Sequence, residues 1–283
     1  MTTEVTIARD DAAVAAGRRV APASPAASRR AHYPLISVGA VLLLLCIWAL
    51  VTNLFHISPM VMPTPQALYG HFVAMLLGGY AGQPLWAHIL ASLGRSMTGL
   101  LCGIVLAVPI GLCMGYSRAV NAALMPIFGF IRPIPPIAFI PLVILWFGIG
   151  EFSKILLIFA ASFNFTVLAS AAGMRAVPEQ LVRAGINLGL TRRQLFISVM
   201  LPAALPQIFT GIKTSTAVSW AIVVAAELIA AQAGLGFIIE DAGTFFRTPE
   251  VLIGVVIIGI VGLSFELVIT LAERRLLHWQ AKG

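Results

Sequence analysis

Apolar positions fall in long uncharged blocks rather than in alternating or amphipathic stretches. The first runs from Leu35 to Phe55, 21 residues without a charge. As a helix it is about 31 Å long, enough to cross the hydrocarbon core of a bilayer. Further blocks of the same kind predict helices over Ser96–Tyr116, about 123–148, Ile155–Gly173, about 210–231 and Val251–Ala272. The pattern therefore predicts an all-α polytopic membrane protein with six transmembrane helices.

Between the first two blocks, residues 56–91 hold four prolines, several turn glycines and no Lys or Arg, which predicts an outside loop with a short surface helix. Leu35–Phe55 follows Arg29 and Arg30, as the apolar part of a signal peptide would. It is long for that role, and His56-Ile57-Ser58-Pro59 has no small-x-small cleavage site, so the block reads as an uncleaved anchor. The expected division is a mostly disordered cytosolic tail over 1–34, the first span over 35–55, the periplasmic loop 56–91, a five-span core over 92–272 with a loop at 175–207, and a cytosolic tail over 273–283.

Composition agrees: 59% of residues are apolar, 10% are charged and the mean hydropathy is +0.97. Soluble domains carry roughly 25% charge. The net charge of +7 is a topology signal here rather than a nucleic-acid signal. Thirteen of the 18 basic residues lie in the N-terminal tail, the turn at Arg118, the 174–207 loop and the C-terminal tail, against Lys154 and Arg247 on the other side. Arg95, Arg132 and Lys213 lie in or at the edges of spans. The positive-inside bias then puts both termini in the cytoplasm. Cys46, Cys102 and Cys113 sit in apolar blocks without C-x-x-C spacing and are expected to be buried thiols, with no metal or redox role.

Two spans carry unusual residues. Gly99, Gly103, Ala107, Gly111 and Gly115 recur every four residues, so one helix face admits another backbone closely, either within the chain or at a subunit interface. The third span holds Pro133, Pro135, Pro136 and Pro141, which deprive the carbonyls of Gly129, Ile131, Arg132 and Ile137 of helical partners. Inside a bilayer such groups must be satisfied by protein or water. Arg132 at the break is expected either to supply the missing donors or to contact an anionic substrate in a pathway.

The loop from Arg175 to Gln207 is patterned. Pro178 and Glu179 suit a helix start. Leu181, Ala184, Gly185 and Leu188 share a face, and Gly189 is placed to end the helix with positive φ. Thr191-Arg192-Arg193-Gln194 has capping-box spacing, flanked by Leu190 and Leu195 as a hydrophobic staple. The second helix is expected to stop before Pro202. Such a basic hairpin is a structural element, a helix-turn-helix for DNA, or a docking element for a cytosolic partner. Spans on both sides hold it against lipid, which disfavours DNA.

The segment RAGINLGLTRRQLFISVMLPAALP resembles the cytoplasmic signature of binding-protein-dependent ABC importer permeases: Glu-Ala-Ala, three residues, Gly, nine residues, Ile-x-Leu-Pro. The matching positions are Arg183, Ala184 and Gly185, then Gly189, then Val199, Leu201 and Pro202. Arg183 stands in place of the acidic residue and Gly185 in place of an alanine. The stretches IRPIPPIAFIPLVILWFGIGEFSKILLI, VVAAELIAAQAGLGF and LAERRLLHW are similar to permeases for taurine, alkanesulfonates, nitrate and related small anions. LWAHILASLGR and SPMVMPTPQAL lean toward the taurine type. The resemblance implies a type I importer fold and a permease homodimer. It also implies two cytosolic ATPase subunits that bind ATP and Mg and receive the hairpin in a groove, with a periplasmic substrate-binding protein above. This chain has no G-x-x-x-x-G-K-[ST] loop of its own.

Ionisable and aromatic residues within spans are pathway candidates. Glu227 is expected near the outer surface, within reach of water, as a gate or as half of a structural pair. Trp220 is a pathway-lining or a core aromatic, and Glu266 a packing or interfacial residue. No His-Glu-x-x-His, paired Asp or Gly-x-Ser-x motif with a histidine partner, as an intramembrane protease would need, lies in the predicted spans, so no catalytic residues are assigned. A secondary transporter would show an internal repeat, and a channel would leave the hairpin without a purpose. The substrate alternatives to a sulfonate are nitrate, bicarbonate, cyanate or an aromatic acid.

Overall fold

The computed structural model describes residues 33–55 and 57–278; the N-terminal tail and the last five residues lie outside this range. The chain divides into two units, one ending at Phe55 and the other beginning at His56. In the first, helix α1 (Tyr33–Leu54) carries Ile36–Leu54, a segment long and apolar enough to cross a membrane.

The second unit opens with α2 (Pro65–Gly78), the surface helix expected in the outside loop. Thr64 accepts from the Ala67 N–H at 3.2 Å and Pro65 occupies the first turn, where its missing N–H costs nothing. There follow α3 (Leu85–Tyr116), α4 (Arg118–Ile131), a 3₁₀ turn (Pro136–Phe139), α5 (Ile140–Phe147) and α6 (Glu151–Arg175). Next come α7 (Glu179–Asn187), α8 (Arg192–Leu195), a π-helical stretch (Phe196–Met200), α9 (Leu201–Ala230), α10 (Leu235–Thr244) and α11 (Thr248–Leu276). No β-strand occurs among the described residues; Tyr80 and Gln83 form one isolated bridge.

Helix α6 is central, packed on α3 along most of its length and on α9 across another face. The small-residue ladder makes the first contact possible. A Cβ on Gly99 would lie 2.7 Å from the Ile158 side chain, one on Gly103 2.6 Å from Ser162 Oγ, and one on Gly115 2.7 Å from the Ala171 carbonyl. Gly111 meets the Val167 carbonyl, and Ala107 is fully buried. The ladder thus serves packing within the chain. On the other side of α3, Leu101, Val105 and Leu106 are more than half exposed, as suits a face covered by lipid or another subunit.

The break expected at the prolines of the third block is present: α4 and the Pro136–Phe147 segment are bent by 82° at the proline cluster. With that pair taken as one span there are up to six. Helix α3 begins at Leu85, within the stretch 56–91 that the sequence predicts to be a loop. The three cysteines are exposed on apolar helix surfaces rather than buried. Helix α10 lies between the apolar blocks predicted at about 210–231 and Val251–Ala272, and its ten residues are too few to cross a bilayer.

Candidate functional site

Two constellations of polar chemistry stand out, one at the connection between α6 and α9 and one between α3, α6, α9 and α10.

At the first, α7 ends in a Schellman motif. Leu190 N–H donates to the Gly185 carbonyl at 3.1 Å and Gly189 N–H to Ile186 at 2.9 Å, with Gly189 at φ +76°. Thr191 starts α8 with a complete capping box: its N–H donates to Gln194 Oε1 at 2.9 Å and its Oγ1 accepts from Gln194 N–H at 3.4 Å. Gly185 is buried at the closest approach, since a Cβ there would lie 2.6 Å from Leu195 Cδ1 and 3.3 Å from Leu190 Cδ1. Arg183 pairs with Glu179 at 2.9 Å, both largely exposed, so the pair adds little. The apolar residues of α7 point outward: Leu181, Ile186 and Leu188 are 47%, 58% and 81% exposed.

The second arm does not stop before Pro202. Phe196–Met200 adopts a π turn in which Leu201 N–H reaches the Phe196 carbonyl, and the helix runs on, so that Arg192–Ile229 forms one continuous 38-residue element. A proline cannot donate, and its ring crowds the carbonyl four residues back. The wider π turn absorbs both effects and lets Val199, Leu201 and Pro202 join the hairpin to the span without a joint.

In the second constellation Glu227 is buried and fully satisfied. Arg95 Nη1 donates to its Oε1 at 2.5 Å, Gly236 N–H to its Oε2 at 2.9 Å, and Ser92 Oγ lies 2.8 Å from both oxygens. Arg95 also grips Glu151 with two parallel bonds of 2.5 and 2.8 Å and donates to the Ala233 carbonyl, while Lys154 reaches Glu151 at 3.0 Å. Gly236 N–H, Leu235 N–H on Ser92 Oγ and Gly234 N–H on His88 Nδ1 are the amides at the start of α10 that no helical carbonyl can serve. Because His88 Nδ1 accepts, the ring proton is on Nε2, which donates to the Tyr80 carbonyl at 3.1 Å. Gly234, at φ +134°, is forced to glycine twice over, since a side chain would also strike the Glu227 carboxylate. Beyond the spans, Tyr80 donates to Asp241 at 2.7 Å, and burial together with that carboxylate raises the phenol above its ordinary range.

The expectation that water reaches Glu227 is therefore overturned: its side chain is 0% exposed. For Arg132 the donor alternative is overturned. Its backbone caps α4 on the Phe128 carbonyl at 2.9 Å, but its side chain is exposed and makes no hydrogen bond or ion pair among the described residues. The Ile131 carbonyl freed by the prolines is taken by Ile134 N–H at 3.0 Å, because the chain bends instead of continuing as a helix. Trp220 is a core residue, 8% exposed, with its ring tilted at 60° against Phe265 and its Nε1–H donating to the Ile258 carbonyl at 3.2 Å; its ring also lines a cleft between α9 and α11.

The family described as binding-protein-dependent transport system inner membrane component matches residues 99–278, which include the whole hairpin. This chain belongs to that family. The taurine transport system permease protein TauC of Escherichia coli (strain K12) is 40% identical over 87% of this chain and 90% of its own length. The putative aliphatic sulfonates transport permease protein SsuC of Bacillus subtilis (strain 168) is 35% identical over 84% of each. Among solved structures, an amino acid ABC transporter with histidines superposes with a TM-score of 0.58 at 18% identity, over 73% of this chain and 96% of that one. The inward-facing MetNI methionine ABC transporter gives 0.56 at 21%, over 69% and 96%. The permease thus has the type I ABC importer fold and is an inner membrane transport component.

Sequence reasoning placed the hairpin residues together and missed the partners of Glu227. Arg95, Ser92 and His88 recur at spacings of three and four, one face of a helix, and that spacing was the available signal.

Proposed function

We propose that this permease is the transmembrane subunit of an ATP-driven importer for taurine or an alkanesulfonate. It works as a homodimer with two cytosolic ATPase subunits, which bind ATP and Mg, and a periplasmic binding protein that delivers substrate. Both termini and the 178–200 hairpin face the cytoplasm, in keeping with the distribution of Lys and Arg.

The observation that carries this reading is the hairpin. A capped, glycine-turned element presents Leu181, Ile186 and Leu188 to its surroundings while its second arm continues without a joint into α9. An exposed apolar tip on a rigid lever suits a groove in a partner subunit, and a rigid-body shift of that partner is passed directly to the span. Arg183, Ala184, Gly185, Gly189, Val199, Leu201 and Pro202 build the lever, and Arg132 is a pathway residue for the anionic group. The sulfonate substrate follows the relatives named for taurine and aliphatic sulfonates, which match most of the chain.

The test is uptake of taurine into proteoliposomes holding the permease, its ATPase and its binding protein. ATP-dependent uptake that vanishes when either partner is left out is expected. Uptake driven by an ion gradient without the ATPase would overturn the reading.

A further inference from the structure

Between α9 and α11 lies a cleft of about 470 Å³, within the roughly 300–1,000 Å³ range of small-molecule sites. Its polar lining is Lys213, Thr214, Thr216 and Glu266, with Trp220 and Phe265 among the apolar walls. Glu266 lies inside the α11 span, is exposed, and makes no hydrogen bond or ion pair among the described residues. An unpaired carboxylate inside a membrane helix is expensive and calls for a cationic group or water in front of it. The hydroxyl protons of Thr214 and Thr216 are spent on the Thr210 and Ile212 carbonyls, at 3.0 and 2.8 Å, so both offer only lone pairs. Lys213 is held by Glu273, which uses one of its three donors and leaves two. The cleft thus combines a free carboxylate and hydroxyl acceptors with a lysine of unused donor capacity.

We infer that this cleft is a transit site within the spans for a small zwitterion that carries an ammonium and a sulfonate, with Glu266 holding the ammonium and Lys213 the sulfonate. The inference rests on the proposed import of a sulfonate and narrows it to amine-bearing ones: a plain alkanesulfonate leaves Glu266 unpaired and brings a second negative charge beside it. A second permease copy seated on the cleft is the competing occupant.

The experiment uses the purified complex of permease and ATPase subunits without the binding protein, titrated with tritiated taurine and challenged with isethionate, which has a hydroxyl in place of the ammonium. Saturable taurine binding is expected, with isethionate a weak competitor. Glu266→Gln should raise the taurine Kd roughly 10- to 100-fold, the loss of a hydrogen-bonded charge, and Glu266→Asp should restore part of it. Absent taurine binding, equal binding by wild type and E266Q, or equal competition by isethionate overturns the site. So does efficient disulfide cross-linking of Glu266→Cys between two permease copies. If E266Q fails to assemble, the isethionate competition on the wild type decides. Proteoliposomes with the binding protein separate the two readings. No ATP-driven taurine uptake by the wild type sinks the import reading, whereas uptake by E266Q with an unchanged KM sinks the transit site alone.

Discussion

Arg95 and Glu227, 132 residues apart in the chain, meet at 2.5 Å in a buried ion pair that ties α3 to α9. Arg95 is 7% exposed and Glu227 not at all. The carboxylate also accepts from Ser92 Oγ and from the Gly236 N–H in the first turn of α10, so the pair also anchors the short helix.

Removing one partner should be far worse than removing both. Glu227→Leu leaves a guanidinium desolvated with only Glu151 to neutralise it, and breaking such a buried pair costs about 3–5 kcal/mol. Adding Arg95→Met to Glu227→Leu should recover a large part of that loss. Thermal melting of the purified complex measures it, and two single-variant losses that simply add would contradict the coupling.

The α3–α6 contact makes a contrast between two glycines on one helix. At Gly103 a Cβ would lie 2.7 Å from Ser162 Cβ, whereas at Gly94 it would meet nothing within 4 Å. Gly103→Val should destabilise by about 1–3 kcal/mol through overpacking. Gly94→Ala should be neutral or stabilising, because helix propensity improves by up to about 1 kcal/mol. Equal Tm values for the two variants would show that the ladder is not the close contact.

Gly189 is at φ +76° with open space around its α-carbon, so a substitution is penalised by backbone strain alone. Gly189→Val should cost about 1–2 kcal/mol at the bend and leave the spans inserted. It should reduce copurification of the ATPase or the substrate carried per ATP hydrolysed. Gly189→Asn, which tolerates that conformation, should retain most of the coupling. Full coupling in the valine variant would remove the bend from the transmission path.

Arg132 makes no side-chain bond among the described residues. Arg132→Met is therefore expected to assemble with its ATPase at wild-type levels while lowering the transport rate for an anionic substrate. Loss of assembled complex, with the remainder transporting normally, would return Arg132 to a structural role.

Topology has a direct check. A reporter inserted after Gly82, in the turn between α2 and α3, should report the periplasm, and one fused after Gly283 the cytoplasm. The opposite result at either point would reverse the side on which the hairpin meets its partner.

The division between sequence and tertiary structure follows the range of the interactions. Apolar block length announced the spans, four prolines marked where the third one breaks, and spacings of four aligned Gly99 to Gly115 on one face. The hairpin was legible for the same reason. Gly189 and the Thr191–Gln194 box satisfy backbone groups within six residues of themselves, so the neighbours that make the bonds are adjacent in the chain. What turns on helix depth and rotation was not legible. The sequence shows charges at Arg95, Glu151 and Glu227, but which face of α3 meets which face of α9 depends on the close approach of α3 and α6. Only that packing brings the three into one cluster, dry on its Glu227 side. The 82° bend likewise left the Ile131 carbonyl a local partner and the Arg132 side chain none among the described residues, because the chain escaped the strain by turning instead of by hydrogen bonding to a side chain. Pro202 looked like a stop because a proline ends an α-helix. A π turn admits it, and that choice was made by the packing of Phe196, Met200 and Leu201 against Met174, Ala204 and Ile208 on α6 and α9.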